Sequence, residues 1–430
     1  MKALELRERY ADFFLKKGYH SLPEHRVVNT EGDGPHFNGS ALTPNLGYFT
    51  GAKALEHTHL FTQQRVFWTS YSYTQMPSSL WTIFQVMMSY YQFGQPDLRE
   101  ALTVGWELLT EGLHLPKDDL FVILPQDRLD LQDTMRKIGM PEQNMVLWQY
   151  APRFAIDGLM NGFYCKFFLR HQHAFLPIFD VVNIIGPDGQ LKTDSCLLLE
   201  RMSFILQGKK TWYETEMFLP LMQRLEALEG TKVNDPFGQR VAATVRSLVA
   251  ALADGAQMTG KGQGHVLKKI LRELLHDRYR MGYDSEIVQL VEPGLRCLRE
   301  IGYDWMADRD RIEAIFAGEE HSYQKVHRES LKFLEKQVKL AENGKRGPFT
   351  QEDLDVWKDS RGITVELALD VLRAQGYDVQ VAEAKPRQFM TFSDAYDHEE
   401  NVHDVKGWLL EMEERTLAQA RARAQAQAKA

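Results

Sequence analysis

Over residues 3–17, Leu4, Leu6, Tyr10, Phe13 and Phe14 recur at helical spacing, and Gly18 stands where a left-handed glycine would end the helix. Arg26-Val-Val28 reads as an extended exit, and the polar, glycine-rich stretch 30–39 as a loop. Between Thr58 and Phe93 the period shortens to two, with aromatic and polar residues interleaved. Leu60–Trp68 and Trp81–Tyr90 therefore predict an antiparallel hairpin closed by a Tyr/Ser/Thr-rich turn at Pro77. Arg65 projects from the first strand and Gln85 from the second, and a plain hairpin with a solvated arginine is the alternative.

A helix is predicted over 97–111 with Asp97 as N-cap, a buried strand over Leu120–Leu124, and a helix over Leu129–Ile138. Residues 141–175, rich in His, Arg and aromatics, read as irregular. A strand over Pro177–Ile185 and a turn at Gly186–Gly189 follow, with a further helix over Tyr213–Leu228. From Phe237 to about Tyr377 the periodicity is almost wholly helical. The expected fold is α+β, an antiparallel sheet flanked by helices and followed by an all-helical domain, divided as 1–235, 236–385 and a C-terminal helical extension over 386–430. Within that extension Trp408–Ala430 is a polar, alanine-rich helix that should fray.

Composition narrows the classes. Hydrophobic residues make up 44% of the 430, enough for a sizeable core, and no apolar run approaches the ~18 residues of a membrane span. The charged start Met1-Lys-Ala-Leu-Glu-Leu-Arg-Glu lacks the apolar stretch of a signal peptide, which points to a cytoplasmic protein with no membrane partner. Three widely spaced cysteines, Cys165, Cys196 and Cys297, fit buried thiols rather than a disulfide framework or a zinc knuckle. His171 and His173 have no third ligand in the pattern, so no metal site is assigned. A net charge of −8 excludes coating nucleic acid through the overall field. Local charge remains: Gly260-Lys261-Gly-Gln-Gly264 precedes a helix with Lys268, Lys269, Arg272, Arg278 and Arg280, opposed by Glu273 and Asp277. That arrangement suits a phosphate backbone, with a solvated basic face as the alternative.

Asp194-Ser-Cys-Leu-Leu-Leu-Glu200-Arg201 carries the most specific chemistry. An arginine on the first turn of a buried helix, with a carboxylate on the incoming strand, can meet a polyanion at one end and an ammonium at the other. A helix N-terminus with a solvated Glu–Arg pair is the plainer reading.

Several segments then align, in order, with one family. Leu6-Arg-Glu-Arg-Tyr-Ala-Asp-Phe-Phe-Leu-Lys-Lys-Gly18, Phe37-Asn-Gly-Ser-Ala-Leu42, Gln64-Arg-Val, Trp106-Glu-Leu-Leu-Thr110, Leu115-Pro-Lys-Asp-Asp-Leu120, Asp194–Arg201, Arg246-Ser, Ala253-Asp-Gly255, Gly264-His-Val-Leu-Lys-Lys-Ile-Leu271 and Met412-Glu-Glu-Arg together resemble the alanyl-tRNA synthetases, a class II family. The resemblance covers nearly the whole chain and implies a diverged paralogue of the aminoacylation fragment without the editing and C-terminal domains. It implies activation of an amino acid with ATP and Mg2+, in a specialised pathway, and transfer to a tRNA acceptor stem, a carrier protein or a small molecule, by a monomer or homodimer. Arg65 and Arg201 would be catalytic and, with Glu200, hold ATP; Asp194, Asp180 and Gln85 would hold the amino acid; Lys261, Lys268, Lys269 and Arg272 would hold RNA. Departures are specific. Trp68 stands where the family has its α-phosphate arginine, Cys196, Leu197 and Leu198 replace a glycine-containing run, and Gly260–Gly264 and Glu366 alter the stem-reading positions. A non-catalytic paralogue that binds RNA or a partner is the alternative these departures imply.

Overall fold

The computed structural model describes residues 1–29, 35–69, 82–148, 153–156, 160–172, 174–361, 363–377 and 379. Within them lie nine strands: β1 (His20–Ser21), β2 (His59–Phe67), β3 (Phe84–Gln92), β4 (Leu120–Pro125), β5 (Met145–Trp148), β6 (Arg153–Ile156), β7 (Met160–His171), β8 (Ala174–Ile185) and β9 (Leu191–Leu198). They form one sheet in the order β1-β2-β3-β9-β8-β7-β4-β5, with β6 paired to β7. The ladders are antiparallel except β1–β2 and β4–β5, which are parallel.

The helices are α1 (Ala3–Lys16), α2 (Leu46–Thr50), α3 (Leu98–Glu107), α4 (Leu129–Lys137), α5 (Leu199–Leu206), α6 (Leu219–Glu229), α7 (Pro236–Ala253), α8 (Gly262–Arg280), α9 (Val291–Arg299), α10 (Arg309–Glu342), α11 (Gln351–Arg361) and α12 (Val365–Ala374). Asp97 caps α3 by accepting from the Arg99 N–H at 2.9 Å, and Gly18 follows α1 with φ of +78°. The α+β expectation is met, and all the described structure beyond residue 236 is helical or loop. The 141–175 expectation is corrected: instead of an irregular stretch, it holds β5, β6, β7 and the start of β8. Polar residues such as Asn161, Lys166 and Arg170 interrupt the apolar alternation of β7, so its period is hidden although its pairing with β8 is long. The helix expected over 213–228 is a short 3-10 turn at Trp212–Glu214 followed by α6. Residues 408–430 and His173 lie outside the described residues.

One face of the sheet is apolar and carries helices. Phe61 and Phe67 of β2, Phe84, Val86, Met88 and Tyr90 of β3, Leu197 of β9 and Val181 of β8 join α1, α5 and α7 in a single core that runs on into α9 and Phe316 of α10. The far end of α10, α11 and α12 gather a second, smaller core around Leu334, Leu354, Trp357 and Leu372. α7 is buried from Phe237 to Leu252, and its Gln239, Arg240, Thr244, Arg246 and Ser247 are buried with its apolar residues. No helix among the described residues is long and apolar enough to cross a membrane.

A charged knot sits inside this apolar face. Glu200 and Arg246 are both wholly buried and lie 2.9 Å apart. The second Glu200 oxygen accepts from the Val86 N–H at 3.0 Å. Arg246 donates to the Phe84 carbonyl at 3.1 Å and lies over the Phe84 and Phe218 rings. Ser247 accepts the Phe84 N–H at 3.0 Å. Strand β3, the start of α5 and the middle of α7 are thereby tied at one point. Removing one partner strands the other charge without water, so Arg246→Ala should cost about 3–5 kcal/mol in urea unfolding, whereas joint replacement with Glu200→Gln and Arg246→Met should cost less than that single change. A loss below about 1 kcal/mol for Arg246→Ala would contradict this role.

Candidate active site

The other face of the sheet is polar, and its composition follows from the period of two. Thr62 pairs with Ser89 across β2 and β3. The β3–β9 pairs Met87–Leu198 and Gln92–Thr193 set a register that puts Ser89 opposite Cys196 and Tyr91 opposite Asp194. Cys196 pairs with Asp180, Asp194 with Val182, Asp180 with Lys166 and Val182 with Tyr164. Opposed residues share a face. Thr62, Ser89, Cys196, Asp180 and Lys166 therefore make one polar row across five strands, beside a second row of Leu60, Tyr91, Asp194, Val182 and Tyr164. The segment leading into α2 lies on this face: Leu42 and Phe49 pack with Leu60, Tyr91 and Val182, and Ala41 with Val66, Met87 and Leu198.

Asp194 is the electrostatic centre of these rows. Its Oδ1 accepts from the Ser195 N–H at 2.7 Å, while the Ser195 hydroxyl takes the Tyr90 N–H at 2.7 Å in place of a ladder carbonyl. Burial pushes the Asp194 carboxyl up to about 8, and the nearby Asp180 carboxylate adds to the rise. Asp180 has its own cation, Lys166, at 2.9 Å. The Cys196 thiol is likewise pushed up, chiefly by burial. A carboxyl enclosed in this way regains its charge most readily when a ligand brings a cation to it.

Toward the helix end, Arg201 of α5 donates from Nη1 to the Pro177 carbonyl at 2.5 Å. Gln85 pairs with Val66, whose side chain lies on the polar face, so Gln85 belongs to that face too. It is fully buried, and neither its amide nitrogen nor its amide oxygen has a hydrogen-bond partner. Trp68 packs against the Val66, Met87 and Leu198 cluster and donates to the Gly39 carbonyl at 2.5 Å. Between Arg65 and Arg99 the chain contains no Lys, Arg or His.

The structure thus brings Asp194, Asp180 and Gln85 onto one face, with Arg201 on the helix that leaves it. It does not bring Arg65 or Glu200 there. Arg65 pairs with Val86, on the helix face, where it meets Asp254 at 2.6 Å and Glu24 at 3.1 Å and lies over the Tyr303 and Trp305 rings. Glu200 has both oxygens committed to Val86 and Arg246. Thr62, Ser89, Tyr91, Cys196, Tyr164 and Lys166 were not singled out as site residues by sequence reasoning. The signal that finds most of them is strand alternation carried across the pairings, which the irregular reading of 141–175 concealed.

Lys268 and Arg272 of α8 both approach Glu319, at 2.7 and 3.6 Å, and Lys269 approaches Glu273 at 3.8 Å. They line a cleft of about 670 Å³ between α8, α10 and the start of α12, which also takes in Gly260, His276, His327 and Glu366. Lys261 is exposed just before α8. Gly264 holds this end of the helix against the preceding loop: a Cβ there would lie 2.4 Å from the Gln257 carbonyl oxygen and 2.5 Å from the Thr259 nitrogen.

Comparison with known proteins adds three findings. A family model described as tRNA synthetases class II (A) matches residues 189–425. An alanine–tRNA ligase of Rubrobacter xylanophilus is 24% identical over 438 residues, covering 89% of this chain and 48% of that relative. The chain spans about half the length of the curated relatives it matches, as with an alanine–tRNA ligase of Acholeplasma laidlawii, 22% identical over 95% of this chain and 51% of its own. A solved pyrrolysyl-tRNA synthetase from Desulfitobacterium hafniense superposes with a TM-score of 0.32 at 11% identity, over 50% of this chain and 72% of that one.

The raised Asp194 carboxyl has a consequence for stability. The folded chain holds this proton more tightly than the unfolded chain, so the stability it contributes is complete below the ordinary carboxylate value of about 4 and is lost as pH rises to about 8. Asp194→Asn, neutral throughout, should match the parent protein near the low end of that window and exceed it progressively toward the high end in urea-unfolding free energy. A difference that stays constant across the window would count against the assignment.

Proposed function

The chain belongs to the class II (A) tRNA synthetases, and from that membership we propose that it is a ligase that activates an amino acid with ATP. The observation that carries this reading is the half-buried Asp194 carboxyl, raised to about 8, with no ion-pair partner among the described residues of the polar face. An amino acid's ammonium is a cation that would compensate this carboxylate. In the proposed reaction a carboxylate oxygen of the amino acid attacks the α-phosphorus of ATP, the bond to the bridging oxygen breaks, and pyrophosphate leaves with that electron pair. The protein's part is orientation and charge stabilisation. Arg201 is the family cation retained for the phosphates, and the unpaired Gln85 amide offers a donor and an acceptor to the nucleotide or the amino acid. Mg2+ ordinarily arrives with the phosphates and keeps several waters. Among the described residues no three metal-ligating side chains gather, so the chain's own contribution to holding Mg2+ would be made through the bound phosphates.

A second reading has its own support. Trp68 fills the space next to Val66 and Met87, and no cation occurs between Arg65 and Arg99, so the α-phosphate lacks the family's clamp. A non-catalytic amino-acid sensor would keep Asp194 and lose phosphoryl chemistry. Amino-acid-dependent ATP–pyrophosphate exchange separates the two. The ligase reading expects exchange that falls by about 10²–10³-fold in Arg201→Ala; calorimetric binding of an amino acid with no exchange for any would favour the sensor.

For the acceptor we place a tRNA acceptor stem along α8, where Lys261 and Lys269 are exposed beside the cleft. A carrier protein is the other candidate. Charge reversal of Lys261 and Lys269 should weaken a tRNA gel shift and flatten its salt dependence by roughly one unit of slope per lost phosphate contact. An unshifted tRNA at low salt would remove RNA as the acceptor.

A further inference from the structure

Three hydroxyls beside Asp194 are buried without a partner. Thr62 Oγ1, Ser89 Oγ and Tyr91 Oη form no hydrogen bond, and all three residues are 0% exposed. Asn45 and Ser89 come close enough to the Tyr91 hydroxyl to offset part of the rise that burial gives its pKa, though neither meets hydrogen-bond geometry. Register places Tyr91 opposite Asp194, Ser89 one strand from Cys196 and Thr62 one strand further. Orphaned hydroxyls are uncommon in folded proteins because each forfeits its hydrogen bond to water. Here they are contiguous, share one face and adjoin the proposed ammonium anchor.

We infer that Thr62, Ser89 and Tyr91 form the side-chain subsite for an amino acid whose side chain ends in a neutral hydrogen-bonding group, a hydroxyl or a carboxamide. This rests on the ligase or sensor reading of Asp194. Adjacent strands are roughly 5 Å apart, so a polar group a few bonds of about 1.5 Å beyond the α-carbon reaches β3 from an ammonium held over β9. Charge excludes the ionised alternatives. Lys166 is committed to Asp180 and Asp194 matches the ammonium, so an acidic side chain would meet carboxylates, and a basic one would meet only hydroxyls. A purely apolar side chain would leave the three hydroxyls unpaired, the situation that gives hydrogen-bonding sites their discrimination.

The test uses the full chain, Ser, Thr, Asn and Gln as polar probes, and Ala, Val and 2-aminobutyrate as apolar ones. Exchange kinetics and, independently, calorimetric binding are measured for the parent protein, Ser89→Ala, Thr62→Val and the conservative Thr62→Ser. The inference expects the best polar probe to exceed every apolar one by at least about tenfold. Ser89→Ala and Thr62→Val should cut that ratio by about 10- to 100-fold, and Thr62→Ser should restore most of it. Binding or exchange that favours an apolar amino acid, with a ratio insensitive to these changes, would overturn the subsite and leave the hydroxyls to ordered water, while the ligase reading stands. Polar-selective binding without exchange keeps the subsite and removes the ligase. No binding by any probe removes both.

Discussion

The Glu200–Arg246 contact ties the central strand β3 to the start of α5 and the middle of α7. Two full charges buried beyond the reach of water are tolerable only when most of their remaining hydrogen bonds are met, and here Val86 and Phe84 of the central strand β3 supply partners while the Arg246 Nε has none. Glu200 sits between Leu198, the last residue of β9, and Arg201, so its position sets where the strand ends and where the helix turns. The same pair anchors α7, and through it the helices beyond. An apolar pair could fill the volume, but it would not select one register of β3 against α5 and α7.

With that register held, the sheet divides its labour by face. Odd-numbered residues of β2 and even-numbered residues of β3 build the core, and their neighbours build the polar rows. Within the polar face there is a further division. The half around Asp194 has a raised carboxyl, a compensated Lys166–Asp180 pair and three unbonded hydroxyls, so it is rich in groups that recognise a small zwitterion. The half around Trp68 and Leu198 is apolar, with Arg201 and the Gln85 amide as its polar groups. An amino-acid site is thus better supported than a phosphate site, and this asymmetry keeps the sensor reading alongside the ligase.

Local pattern made part of this legible. The hairpin, α1 and its glycine stop, the Asp97 cap and the strand-to-helix passage at Asp194–Arg201 follow from alternation and capping chemistry. The rest depended on pairing between distant segments. Glu200 reads as a solvated helix-start acid until Arg246 is placed against it, and nothing near Glu200 announces that partner. Arg65 looks like a phosphate ligand until its register with Val86 turns it to the helix face; Trp68, three residues on, has the parity of the polar one. β7 is the clearest loss, because a long strand with polar residues on both faces lacks the alternation that identifies a half-buried strand, whereas most of β8 was legible as the run Pro177–Ile185.

The proposed role of Asp194 is that of a half-buried carboxyl that receives an ammonium. It is tested most directly by following the carboxyl carbon of Asp194 by isotope-edited NMR across pH, without and with a bound amino acid. Titration near 8 is expected in the free protein, with a fall well below that when the ammonium is bound, because an opposite charge favours the ionised form. Titration in the ordinary carboxylate range in the free protein, unmoved by any amino acid, would contradict it.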